Sequence, residues 1–158
     1  MPSDLRFSSM DQVRAPSVTA EALQWIEYEL DASWAAKLAI LGARRREDIA
    51  HFGACLAEHD RHSRELAALL RASDPIIDIP TEPVFRTTDA TIVASTHEES
   101  ALLRAVERME STRMDRYEGR HRGHDGRLEA LLDIHLTETR VRLAALRRLR
   151  EACDDVAA

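Results

Sequence analysis

The feature that most restricts the fold is an irregular segment in the middle of an otherwise helical sequence. Residues 73–95 (SDPIIDIPTEPVFRTTDATIVAS) contain three of the five prolines and show no helical period. Connections between the helices of a bundle are usually roughly 2–8 residues long, so this one needs an explanation. A segment of this length can run the length of a bundle and restart the chain at the opposite end. We therefore predict a crossover at 73–95 between the second and third helices.

On both sides of this segment, apolar residues recur at steps of three and four, the period of an amphipathic helix. In the first such stripe these residues are Leu23, Ile26, Leu30 and Trp34. The stripes predict helices at about 19–43, 46–72, 96–119 and 126–151. Residues 1–18 lack a sustained period and are predicted to form a flexible N-terminal arm. The predicted fold class is all-α, a four-helix bundle over residues 19–151.

Two sequence signals set the ends of the crossover. Pro75 cannot continue a helix interior, so the second helix should end just before it. At the other end, Ser95 with Glu98, or Thr96 with Glu99, has the spacing of a capping box. Either pair predicts that the third helix begins near residue 96.

Composition excludes several classes of function. The chain has 158 residues, which is the size of one domain, and a net charge of −6 from 28 acidic and 22 basic side chains. Neither a basic face nor an apolar run of roughly 20 residues is present, so we expect no nucleic-acid and no membrane partner. Cys55 and Cys153 form no CxxC motif, which disfavours a thiolate zinc site. The first 20 residues do not read as a signal peptide, so a cytoplasmic location is expected.

Ionisable residues stand in the inward registers of all four predicted helices. Carboxylates buried at one level of a bundle are costly unless they share a cation, and a pair of metal ions would serve all of them. His59 and His62, like His135 and Glu138, are three residues apart and could chelate from one helix face. The predicted metal ligands are Glu27, His59, His62, Glu110, His135 and Glu138.

Two alternatives stay open for these residues. A shift of two residues at the first turn would make Glu29, and not Glu27, the inward ligand of the first helix. Each carboxylate could also pair with an arginine across the bundle, while the histidines face solvent. In that case the chain would hold no metal.

These residues and their spacing resemble the ferritin-like di-iron carboxylate proteins, in which two helices give one Glu and two give Glu-x-x-His. Here Glu27 and Glu110 are each followed seven residues later by an aromatic residue, Trp34 and Tyr117. The run from His62 to Leu66 is similar to the His-x-x-x-Leu that ends the family's second-helix motif. The pattern departs from the family where His59 replaces the motif Glu, and where His135 precedes Glu138. The resemblance implies two iron or manganese ions and chemistry with dioxygen or peroxide.

Two functions follow as hypotheses. The first is a ferritin-like protein with an iron or manganese centre in the bundle. The second is a metal-free bundle of that fold, acting as a structural, stress-related or protein-interaction module. We also expect a homodimer, because Trp25 and Tyr28 lie off the inward stripe and could form an exposed aromatic patch. The alternative is that these two rings pack against the arm or the crossover.

Overall fold

The computed structural model describes residues 17–120, 122 and 125–157. The predicted N-terminal arm lies outside these residues, apart from Ser17 and Val18. Every regular element within the described residues is helical, which confirms the all-α class. The elements are α1 (Val18–Gly42), α2 (Arg46–Ser73), α3 (Asp89–Ala94), α4 (Glu99–Gly119) and α5 (Gly126–Ala157). In this part of the chain no helix is both long and apolar enough to cross a membrane.

The four long helices contact one another in a closed ring, α1 against α2, α2 against α5, α5 against α4 and α4 against α1. The backbone N–H groups of Arg44 and Arg45, in the α1–α2 turn, donate to the Glu99 carboxylate at the start of α4. Arg45 also donates to Cys153 near the end of α5. Because α2 and α4 both start at this end, they run parallel, and residues 74–98 traverse the length of the molecule.

The crossover is attached to α1 by one buried carboxylate. Asp31 accepts hydrogen bonds from the backbone N–H groups of Val84, Phe85 and Thr87 at 2.8–3.2 Å. Phe85 has a φ of 56°, a left-handed conformation that residues other than glycine seldom adopt. Part of the crossover is helical and not irregular, because α3 buries Ala90 and Val93 against the core.

The start of α4 differs from the predicted capping boxes. The helix begins at Glu99, and its N-cap residue Glu98 makes no side-chain capping bond. The hydroxyls of Ser95 and Thr96 both donate to the carbonyl of Ile92, so they close α3 and do not open α4. The Glu99 side chain instead accepts hydrogen bonds from the backbone of the turn that joins α1 to α2.

Two apolar clusters form the core, one toward each end of the bundle. The cluster near the α1–α2 turn contains Phe52, Leu102 and Val106, and the other contains Ile26, Leu66 and Leu132. Trp25 belongs to the second cluster, stacked on Tyr117 at 4.4 Å between ring centroids. It is 5% exposed, so it does not form the exposed patch expected from the sequence. Polar side chains fill the level between the two clusters.

Candidate metal centre

The middle of the bundle holds a buried cluster of ionisable and hydroxyl side chains. Each of the four long helices contributes to it, and every member is less than 10% exposed. The members are Glu29, Glu58, His59, His62, Glu110, Arg113, Tyr117, His135 and Thr139. Buried charges are tolerated only when they are paired or bind a cation, so this cluster must satisfy itself internally or hold an ion.

Three members lie close enough together that they could hold a metal ion. Glu29, His62 and His135 each offer one ligand atom, and these atoms lie within 4.8 Å of one another. The carboxylate oxygen Oε2 of Glu29 is 3.7 Å from Nδ1 of His62. The two imidazole rings stack with 3.7 Å between their centroids. We call these three residues the triad; they come from α1, α2 and α5.

Both triad histidines have a carboxylate on their outer nitrogen. Nε2–H of His62 donates to Glu138 at 2.7 Å, and Nε2–H of His135 donates to Glu65 at 2.8 Å. These partners assign the proton to Nε2 and leave the Nδ1 lone pairs facing the cluster. Histidines that bind metal usually donate their other N–H to a carboxylate or carbonyl, which fixes the ring and raises its basicity. The triad therefore has the second layer of contacts that metal sites need.

The other half of the cluster surrounds a buried guanidinium. Arg113 places Nη1 3.0 Å from Glu110 and Nη2 3.8 Å from Glu58. Nη2 also donates to Oγ1 of Thr139 and to Nδ1 of His62, at 2.9 Å each. We call Arg113 together with Glu58, His59 and Glu110 the arginine side.

His59 joins the two halves. Its Nδ1 lies 3.0 Å from Glu29 and its Nε2 lies 2.9 Å from Glu110. Burial and the charge of Arg113 lower the pKa of His59, but the carboxylates of Glu110 and Glu29 outweigh them and the pKa is raised. Nη1 of Arg113 also lies 2.6 Å from Nδ1 of His59, so both ring nitrogens of this histidine are already in contact with charged side chains.

Glu29 and Glu110 are ionised. Burial alone would raise the pKa of Glu29, but Arg113, His59 and His62 hold it well below its usual range. The pKa of Glu110 is lowered for the same reason, since Arg113 and His59 outweigh its desolvation. Burial raises the pKa of Tyr117 well above its usual value, so its hydroxyl keeps the proton that it donates to Glu29.

His135 carries no charge at neutral pH. Burial and the neighbouring His62 lower its pKa to about 4, although Glu65 acts in the opposite direction. An imidazole must be deprotonated to bind a metal, and His135 meets that condition at neutral pH without metal. Its Nδ1 faces the Tyr117 hydroxyl at 3.4 Å.

The structure brings five of the six predicted ligands to this level of the bundle. His62 and His135 belong to the triad, and Glu138 is a hydrogen-bond partner of His62. His59 and Glu110 lie on the arginine side. Glu27 lies outside the cluster, paired with Arg86 of the crossover.

The inward carboxylate of α1 is Glu29 and not Glu27. Glu29 is the alternative ligand that the sequence leaves open. Large apolar residues define the predicted stripe, but the buried face of α1 is largely alanine, including Ala22, Ala32, Ala35 and Ala39. Trp34, which anchored the predicted register, is 40% exposed. Because the buried face differs from the predicted one, Glu27 lies partly exposed and Glu29 lies in the centre of the bundle.

Sequence reasoning missed Glu58, Glu65 and Arg113. Arg113 is three residues after Glu110 and four before Tyr117, so helical spacing alone places it on their face. Arginine is abundant in this chain and is usually solvated, so its spacing alone does not distinguish Arg113 from the other arginines. Glu65 follows His62 by three residues, so the same spacing could have identified it.

Comparisons of this chain with protein-family models, with curated proteins and with solved structures find no match.

Proposed function

We propose that this chain binds one first-row transition-metal ion at Glu29, His62 and His135, in a helical bundle of the ferritin-like plan. The observation that carries the proposal is the convergence of two buried imidazoles and one buried carboxylate. Each imidazole has its outer nitrogen on a second carboxylate, and one ligand atom from each of the three residues lies within 4.8 Å of the others. Three buried side chains from three helices meet there.

The donor set fits a small group of metals. Two imidazoles and one carboxylate are typical of mononuclear Fe(II) sites, and also of catalytic Zn(II) sites. Iron or manganese is the identity that the ferritin-like resemblance favours. A bound ion of this kind would supply redox chemistry toward dioxygen or peroxide.

The protein's own residues have separate tasks in this proposal. Glu65 and Glu138 orient the two imidazoles, and the Tyr117 hydroxyl orients Glu29. The two apolar clusters on either side of the polar cluster shield it from solvent. When an ion takes the lone pair of His62, Nη2 of Arg113 keeps Thr139 as its acceptor.

The test is the metal content of the purified protein. We would load it anaerobically with Fe(II), Mn(II) or Zn(II), desalt it and measure metal per chain by mass spectrometry. We expect about one ion per chain in the wild type and almost none in His135→Ala. His51→Ala removes a half-buried histidine far from the triad along α2 and should leave the count unchanged. A wild type at background, or a His135→Ala variant that retains its metal, would overturn the proposal.

One observation favours the metal-free alternative. Arg113 already compensates Glu29 and Glu110 without any ion, with contacts of 3.2 and 3.0 Å. Under this alternative the cluster is a structural ion-pair network, and the chain acts through partners. Chelator would then leave the melting temperature unchanged, and the loading experiment would give no metal with any of the three ions.

The predicted homodimer is compatible with either function. The aromatic patch on which that prediction depends is not exposed as expected, because Trp25 lies in the core and Tyr28 is half-buried beneath the guanidinium of Arg116. Light scattering at several protein concentrations measures the mass directly. A constant mass near 17.8 kDa would exclude a dimer.

A further inference from the structure

Arg113 lies where a second cation of this cluster would have to bind. Its side chain is 2% exposed and extends from α4 into the centre of the bundle. Its three nitrogens lie 3.0 to 3.8 Å from Glu110, Glu29 and Glu58, carboxylates of three different helices. A metal ion in a dinuclear centre would need the same carboxylates.

The remaining donors of the cluster are arranged for this guanidinium and not for an ion. Within the described residues, the triad is the one set of three metal-ligating side chains close enough to share an ion. Glu58, His59 and Glu110 are spread around the wider, planar guanidinium, with His59 held between Glu29 and Glu110. The residues present therefore fit one metal ion and do not fit two.

Occupancy of the carboxylates gives the same result. A guanidinium keeps its positive charge in proteins. Its Nη1 and Nη2 already lie against Glu110 and Glu58, so a second divalent ion at these carboxylates would have to displace the Arg113 side chain.

We infer that Arg113 is a built-in cation that takes the place of a second metal ion and limits the centre to one. This inference rests on the proposed metal binding at the triad. It makes Arg113 the residue that determines metal stoichiometry, although it is not itself a metal ligand.

The experiment compares metal per chain in the wild type, Arg113→Ala and Arg113→Lys. Each protein is equilibrated with Mn(II), desalted and measured by elemental analysis. Electron paramagnetic resonance then distinguishes an isolated Mn(II) ion from an exchange-coupled pair. We expect one isolated ion in the wild type and in Arg113→Lys, which keeps the positive charge. In Arg113→Ala we expect two coupled ions, because the carboxylates then line a hydrated space without a cation.

A double variant tests where the second ion binds. Adding Glu110→Ala to Arg113→Ala should remove that ion and leave the first, since Glu110 lies on the arginine side only. Arg113→Gln, which loses the charge and keeps much of the volume, replaces Arg113→Ala if the latter does not fold. If neither folds in chelator, refolding in Mn(II) is the readout. We expect rescue to two ions per chain, and no rescue overturns the inference.

The possible failures are distinguishable. A wild type with no metal overturns the proposed function together with this inference. A wild type with two ions supports metal binding and overturns the role of Arg113. One ion in the wild type and one in a folded Arg113→Ala or Arg113→Gln variant also overturns it.

Discussion

The triad and the arginine side solve the same electrostatic problem in different ways. Each combines buried carboxylate with histidine from neighbouring helices, and each lies between the same two apolar clusters. On the arginine side the compensating cation is a covalent part of the chain. In the triad the histidine protons point outward to Glu65 and Glu138, and lone pairs remain inside. The comparison teaches that one guanidinium can compensate buried carboxylates of both sides, since Arg113 contacts Glu29 as well as Glu110, while the imidazole nitrogens of the triad are the part of the cluster left for the proposed ion.

Removing the built-in cation should have the largest effect on stability. Arg113→Met leaves Glu29 and Glu110 buried without their main partner, which typically costs about 3–5 kcal/mol. The free energy of unfolding in urea with chelator present measures this loss. Arg140→Ala breaks an exposed pair with Glu118 and should cost about 0.5 kcal/mol. Equal losses in the two variants would contradict a special role for the arginine side.

Acidification should act through the triad. The pKa of His135 is about 4 in the folded protein against 6.5 unfolded, so the unfolded state binds more protons between these values. Stability therefore falls as pH decreases from 6.5 to 4, by about 3 kcal/mol at about 1.4 kcal/mol per pH unit. His59, whose pKa is raised, loses its contribution only as pH rises above 6.5.

The window between pH 6.5 and pH 5 separates His135 from Glu29 and Glu110, because the pKa values of these two carboxylates lie below their usual range. Urea unfolding of the wild type and of His135→Gln across this window measures the difference. The variant should show a flatter dependence on pH. Parallel curves would mean that the loss does not come from His135.

The outer carboxylates should affect metal binding more than folding. Glu65→Gln keeps a hydrogen-bond acceptor for His135 but loses the negative charge, so metal affinity should fall about 10- to 100-fold. Competition with a chromogenic chelator measures the affinity. Glu118→Gln changes a carboxylate that pairs with Arg140 and touches neither triad histidine. A drop of the same size in Glu118→Gln would point to net charge and not to the contact with His135.

The smallest effect should come from Thr139, which links the two sides. Its hydroxyl accepts from Arg113 and donates to the carbonyl of His135, at 2.9 and 2.8 Å. Thr139→Val keeps the shape and removes the hydrogen bonds, so the loss should be about 1 kcal/mol. Metal stoichiometry should stay at one per chain. A change in stoichiometry would mean that the position of Arg113 depends on Thr139.

Sequence patterns predicted the helices better than they predicted their rotation. Proline, apolar spacing and the long middle segment are local or additive signals, and they indicate where helices lie and that a crossover exists. The register of α1 is different, because α2, α3 and α4 all contact it and alanine forms much of its buried face. Apolar size is then a poor guide to orientation, which is why Glu27 was predicted and Glu29 is buried.

Single residues of the site show the same limit. The inward histidines His62 and His135 follow from spacing, because their neighbours on each helix are leucines. The burial of Arg113 depends on three carboxylates contributed by α1, α2 and α4. That coincidence arises only after the helices are packed, so no pattern along one helix reveals it.

The stacking of Trp25 on Tyr117 gives the site an optical reporter. The Tyr117 hydroxyl contacts Glu29, and its ring lies 4.4 Å from the indole at an interplanar angle of 11°. Trp34, the other of the two tryptophans, is partly exposed on the far side of α1 and can be replaced by phenylalanine. The remaining emission would come from an indole one tyrosine ring away from the triad. Occupancy of the site could then be followed by fluorescence as it changes, in the intact protein and without an added label.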